Sequence, residues 1–193
     1  MDYSLLKEKY GTPLYIYDVD RMKEVITKYK YYFKSSMFQT EILYASKAFC
    51  VKEMLRFVHN QNLSLDVVSL GELMTAKAVN FDMSKIYFHG NNKSEEELRF
   101  AIKEHVGYIV VDNLMELNLL EQLCEELQNP INVYFRLNVG VEAHTHKFIV
   151  TAHIDSKFGV LYGSKDYKEM LTIVQNSKYL NLVGFHSHIG SQI

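Results

Sequence analysis

The chain has 193 residues, 48% of them hydrophobic and 23% charged, and a formal net charge of −2. That balance suits a globular domain with a sizeable core and gives neither nucleic acid nor an anionic membrane surface a reason to bind. The apolar runs are too short to cross a bilayer, the N-terminus has no signal-peptide core, and Cys50 and Cys124 are too few for a disulfide framework, so a reducing cytoplasm is the expected setting.

In chain order, residues 14–17 read as an isolated first strand, and a helix follows near residues 20–33. This pair sets residues 1–35 apart from 36–193. Strands are then predicted at residues 42–45, 65–68, 86–89, 108–111, 131–137 and 182–188, and helices at 51–59, 71–79, 94–103, 114–127 and 165–176. Ser94-Glu95-Glu96-Glu97 has capping-box spacing, a serine with glutamate three residues on. The strands are short continuous apolar runs separated by helices, the pattern of a parallel sheet buried on both faces. No Gly-x-Gly-x-x-Gly follows any strand, which removes the local mark of a dinucleotide fold.

Polar residues gather where these strands end: Lys47, Asp66 with Ser69, His89-Gly90-Asn91, Asp112-Asn113, Arg136 with Asn138, and His186 with His188. A barrel brings the C-terminal ends of all its strands to one mouth. The expected fold is therefore α/β, a partial (β/α)8 TIM barrel of about six strand–helix units of the eight that a complete barrel of ~250 residues contains.

Lys47 follows the first barrel strand with small Ala45 and Ala48 beside it, a setting in which an amine can attack an aldehyde. Residues 184–193 read Gly-Phe-His-Ser-His-Ile-Gly-Ser-Gln-Ile. On a strand His186 and His188 would share one face, and Gly190 and Ser191 beyond it would cup a phosphate, together suiting a flat, phosphorylated cofactor. Asp66 interrupts an apolar strand, where a carboxylate needs a partner, and Arg136 is the obvious one. Glu72, opening a helix after Gly71, complements that helix's N-terminus. The pairs His144/His146 and His186/His188 have zinc-binding spacing, but no acidic cluster accompanies them and no metal is expected.

These residues fall within a series of motifs: Thr12-Pro13-Leu14-Tyr15-Ile16-Tyr17-Asp18, Tyr44-Ala45-Ser46-Lys47-Ala48, Asp66-Val67-Val68-Ser69-Leu70-Gly71-Glu72-Leu73 and His89-Gly90-Asn91-Asn92-Lys93-Ser94. Phe135-Arg136-Leu137-Asn138, Ala143-His144-Thr145-His146, Lys157-Phe158-Gly159 and His186-Ser187-His188-Ile189-Gly190-Ser191-Gln192 complete it. In them the chain, from about Thr12 onward, resembles the N-terminal part of the diaminopimelate decarboxylases, within the alanine-racemase-like (fold type III) pyridoxal-phosphate enzymes. The resemblance implies that Lys47 is the catalytic residue and carries pyridoxal 5'-phosphate, that His188 stacks on the pyridine ring, and that Ser191 contacts the phosphate. It places Asp66, Glu72 and Arg136 around the cofactor and its lysine, and residues 143–157 over the site.

The activity so implied is decarboxylation of meso-diaminopimelate to L-lysine by a full-length homodimer. Ornithine, arginine or carboxynorspermidine decarboxylases are the runner-up, and a non-catalytic pyridoxal-phosphate-binding barrel protein is the alternative of another class. The chain departs from the family at Asn138-Val139-Gly140, where Asn-Pro is usual, and at Phe49, where Asn is frequent. It does not reach the family's glycine-rich phosphate loop, its Glu-Pro-Gly-Arg segment or its C-terminal β-domain, to which the resemblance assigns the strand at residues 14–17, so the isolated chain is expected to be inactive.

Overall fold

The computed structural model describes residues 2–139, 157–188 and 190, and the chain divides into two units, residues 1–42 and 43–193. The first holds two helices, α1 (Tyr3–Tyr10) and α2 (Val19–Tyr32). Each begins at an aspartate in extended backbone, Asp2 or Asp18, whose carboxylate accepts from two N–H groups of the first turn. These are donors that a helix start otherwise leaves open. Neither helix buries a residue, and α1, with little apolar periodicity, has no counterpart among the predicted elements.

The strand predicted at residues 14–17 does not form. The stretch between α1 and α2 has no strand, and Leu14, Tyr15, Ile16 and Tyr17 are 40%, 89%, 41% and 50% exposed. A strand exists only where a neighbour takes up its N–H and C=O groups, and among the described residues none pairs with these.

The second unit alternates strands and helices: β1 (Leu43–Ala45), α3 (Lys52–Asn60), β2 (Ser64–Val67), α4 (Leu70–Lys77), β3 (Ile86–Phe88), α5 (Glu95–Lys103) and β4 (Tyr108–Val111). Then come α6 (Leu114–Leu127), β5 (Ile131–Asn138), β6 (Val160–Leu161), α7 (Lys165–Asn176) and β7 (Leu180–His186). Strands β1 to β5 pair in chain order and β7 pairs with β5, every pairing parallel. The six predicted barrel strands are all present. The two-residue β6, too short to show a period, joins the end of β5 through Leu137–Val160 and Asn138–Leu161. This is α/β architecture, part of a (β/α)8 barrel. No helix among the described residues is long and apolar enough to cross a membrane.

The helices start where their caps say they should. Ser69, Ser94, Asn113 and Ser164 each accept the N–H of the residue three positions on, and Ser94 with Glu97 completes the expected capping box. Alternate strand residues, Leu65, Val67, Ile86, Phe88, Ile109, Val111, Val133 and Phe135, are fully buried, as are Leu73, Leu98, Leu117 and Leu120 on the helices. They make the layer between sheet and helices.

The opposite strand face carries the polar residues. Asp66, Tyr87, Tyr108 and Asn132 stand side by side in register, so all four share a face. Alternation along each strand then brings His89, Asp112, Tyr134 and Arg136 to that same face. Tyr87 and Tyr108 stack at 4.3 Å, with Tyr134 at 5.8 and 5.6 Å from them, an aromatic floor below the charged residues.

The β5–β7 ladder has one irregularity. Leu182 lies opposite Val133 but Gly184 opposite Tyr134, so Val183 is an extra residue, a bulge. Gly184 has to be a glycine, because a Cβ there would sit 2.7 Å from Cε1 of Tyr134.

Candidate active site

Lys47 sits on a short 3-10 turn, Ser46–Ala48, directly after β1. The turn is braced on each side. The fully buried Ser46 donates its hydroxyl to the Asp66 carbonyl at 2.8 Å, tying the end of β1 to β2. The Tyr44 hydroxyl donates to the Phe49 carbonyl at 3.0 Å, and the Phe49 N–H donates to the Ser46 carbonyl at 3.0 Å. The backbone is thus fixed while Lys47 itself stays exposed, an amine on a rigid mount.

Asp66, on the site face of β2, has its Oδ1 3.5 Å from Nε2 of His89. The His89 ring meets His186, the last residue of β7, edge-to-face at 4.7 Å, and His186 is in register with Arg136. Burial, with Glu72 adding to it and Arg136 and Lys47 opposing it, pushes the Asp66 carboxyl up to about 7. Burial and the surrounding cations push His89 down to about 3 and His186 to about 4, so both imidazoles are neutral at pH 7. His188 lies just beyond β7, exposed, with its pKa lowered by burial, Arg136 and Lys47.

These shifts have opposite consequences for stability. Folded Asp66 keeps a proton up to about pH 7 that an unfolded aspartate loses near 3.8, so this residue makes folding less favourable as pH rises across that window. His89 and His186 bind fewer protons folded than unfolded between roughly 4 and 6.5, so they make folding more favourable as pH rises. Asp66→Asn is therefore expected to steepen the rise in stability between pH 4 and 7 in the protein without cofactor, measured as urea midpoints across that range. An unchanged or flatter profile would show that Asp66 does not carry this proton.

Asp112, at the end of β4, is 2% exposed; its Oδ1 lies 3.5 Å from NH1 of Arg136, and its carboxylate accepts the Gly159 N–H. Behind it lies a buried ion pair. Lys93 Nζ is 2.6 Å from Oε1 of Glu116 and also donates to the carbonyls of Gly90 (2.8 Å) and Val110 (2.7 Å), while Oε2 of Glu116 accepts the Asp112 N–H at 3.0 Å. The two side chains are 1% and 5% exposed. The pair locks the loop after β3 to the end of β4 and the first turn of α6.

Of the residues picked out from sequence, Lys47 and Arg136 each come within electrostatic reach of both Asp66 and His188 at the strand ends. Glu72 is buried, and its carboxylate accepts from the Val68 N–H at 2.6 Å and the Ser69 hydroxyl at 3.1 Å; it closes the β2–α4 connection and acts on Asp66 through its charge. Ser191 and the His144/His146 motif lie outside the described residues. His89 and Asp112 were visible as polar strand ends but were not among the predicted site residues; their position two residues beyond the inward-facing Tyr87 and Val110 is the signal that would have found them.

Oδ1 of Asp66, Oδ1 of Asp112 and Nδ1 of His186 are buried without a hydrogen-bond partner among the described residues. Unsatisfied buried polar atoms are costly, and three on one sheet face fit a polar ligand held there. An accessible amine, two neutral imidazoles and a guanidinium suit a ligand that is planar, anionic and carries a carbonyl.

Residues 22–193 match the family model described as "Pyridoxal-dependent decarboxylase, pyridoxal binding domain". Over all 193 residues the chain is 48% identical to a diaminopimelate decarboxylase of Bacillus subtilis, covering 44% of that protein, and it is 44% identical to one of Staphylococcus aureus over 97% of the chain and 44% of the relative. Among solved structures, diaminopimelate decarboxylase from Helicobacter pylori complexed with L-lysine matches with a TM-score of 0.89 at 31% identity, covering 100% of this chain and 48% of that one. The M. jannaschii enzyme in co-complex with L-lysine matches with a TM-score of 0.88 at 34% identity, covering 100% and 45%. The chain spans less than half the length of these relatives.

Proposed function

The chain belongs to the pyridoxal-dependent decarboxylases, whose pyridoxal-binding domain it matches, and from that premise we propose that it is part of an enzyme converting meso-diaminopimelate to L-lysine and carbon dioxide. The family's cofactor is pyridoxal 5'-phosphate, and the residues on the site face fit it. Lys47 would hold its aldehyde carbon, His188 would lie against its ring and Ser191 would bind its phosphate. When bound, the cofactor supplies a conjugated ring that accepts the electron pair left behind by the departing carboxylate.

The protein's own contribution is positional and electrostatic. The braced turn presents the Lys47 amine at one fixed place. With the cofactor bound, that amine would be the group placed to give way to the substrate's amino group, ahead of the exchange of the α-carboxylate for a proton. Arg136 and Asp66 set the charge at the strand ends, and the neutral His89 and His186 rings add none. Two free cysteines agree with a reducing cytoplasm as the setting, and a homodimer is the assembly proposed for the full-length protein.

The observation that carries this reading is Lys47 on its braced turn, within electrostatic reach of Asp66 and His188, in a chain that matches diaminopimelate decarboxylases from end to end. Release of carbon dioxide by the full-length protein tests it, with meso-diaminopimelate competing against ornithine, arginine and lysine. Meso-diaminopimelate is expected to be strongly preferred. Preference for ornithine or arginine would move the protein to another branch of the same family, and cofactor binding without turnover would make it a carrier.

A further inference from the structure

Arg136 is held from a side that the site residues do not account for. Its side chain is 11% exposed, and its nearest carboxylate oxygen, on Asp112, is 3.5 Å away, too long for a strong hydrogen bond. The Phe158 ring covers it, with the guanidinium carbon 4.5 Å from the ring centroid. The next residue, Gly159, donates its N–H to the Asp112 carboxylate. Consecutive residues therefore grip both members of the Arg136–Asp112 pair.

The grip has no slack. Gly159 has φ +76°, and a Cβ there would stand 2.9 Å from the Arg136 carbonyl oxygen and 3.0 Å from the Asn138 nitrogen. Only glycine fits, and it brings Phe158 onto Arg136 just ahead of the pairing of β6 with β5. Lys157 also approaches the ring, at 5.0 Å, so the ring lies near two cations. A guanidinium over a ring face is attracted by the ring quadrupole, most strongly where water is excluded.

We propose that Phe158 is a positioning residue for Arg136, its ring holding the guanidinium on Asp112 so that the positive charge stays beside Asp66 and His188. This rests on the reading of Arg136 as a site residue given above. What matters in Phe158 is its π face as well as its bulk. Leucine or methionine would fill most of the same volume without attracting the cation, whereas tyrosine keeps the attraction.

The test is made on the full-length protein with Phe158→Leu and Phe158→Tyr, using Phe158→Met if the leucine variant fails to fold. Two readouts are taken: the rate at which phenylglyoxal modifies Arg136, followed by peptide mapping, and kcat. The apolar variant is expected to raise modification at Arg136 and to lower kcat by about fivefold or more each, with an unchanged melting temperature, while tyrosine stays near wild type. Leucine behaving as wild type, or tyrosine and leucine behaving alike, would overturn the proposal. A protein without decarboxylase activity in which only the apolar variant exposes Arg136 would leave the positioning role standing and refute the activity assigned above.

Discussion

Lys47→Ala is expected to lower decarboxylation by the full-length protein by on the order of 10³-fold or more, with little change in melting temperature. Stability is spared because Lys47 is exposed and its turn is held by Ser46, Tyr44 and Phe49. Lys47→Arg should be no better, since a guanidinium stays protonated and cannot act as a nucleophile toward an aldehyde. Borohydride treatment of the wild-type protein with pyridoxal phosphate, followed by peptide mapping, should place the reduced adduct on Lys47. Lys93, another lysine near the strand ends, is unavailable because its ammonium is buried and already has three acceptors. An adduct elsewhere, or an active alanine variant, would remove Lys47 from its role.

Breaking the pair behind the site should have the largest effect on stability. Lys93→Met leaves the Glu116 carboxylate buried with only the Asp112 N–H for compensation, and strips the Gly90 and Val110 carbonyls of their donor. Removing one partner of a buried ion pair costs about 3–5 kcal/mol, whereas replacing both by apolar residues of similar volume is often close to neutral. Lys93→Met combined with Glu116→Leu should therefore recover most of the loss, as read from urea midpoints. A single variant within about 1 kcal/mol of wild type would mean that the pair is more hydrated than its 1% and 5% exposures show.

What could be read from the sequence was what depends on neighbours along the chain. Helices α6 and α7 span the residues expected, because Asn113 and Ser164 mark their starts and their apolar residues repeat with helical period. Lys47, Asp66 and Arg136 stood out as polar residues interrupting or ending apolar strands. Contacts between distant segments left no such trace. Lys93 and Glu116 each look like ordinary surface charges, and nothing in a sequence says that a loop and a helix start will enclose them together. Glu72 was readable as a helix-start residue, and its carboxylate does serve the start of α4. The strand expected at residues 14–17 shows the limit: a short apolar run announces a surface that needs a partner, but supplies none.

The extra residue in β7 bears on how this protein can vary in length. Before Val183 the even-numbered residues of the strand, Leu180 and Leu182, are in register with the helix-facing Ile131 and Val133; after it Gly184 and His186 are in register with Tyr134 and Arg136. Even numbers therefore serve the core in the first half of the strand and the site in the second. Loss of one residue ahead of Gly184 would let the ladder close up straight and leave His186 beside Arg136. Gain of one would need a second kink, or would turn His186 toward the helices and bring Phe185 to its place. Related chains should thus differ here by deletion far more readily than by insertion.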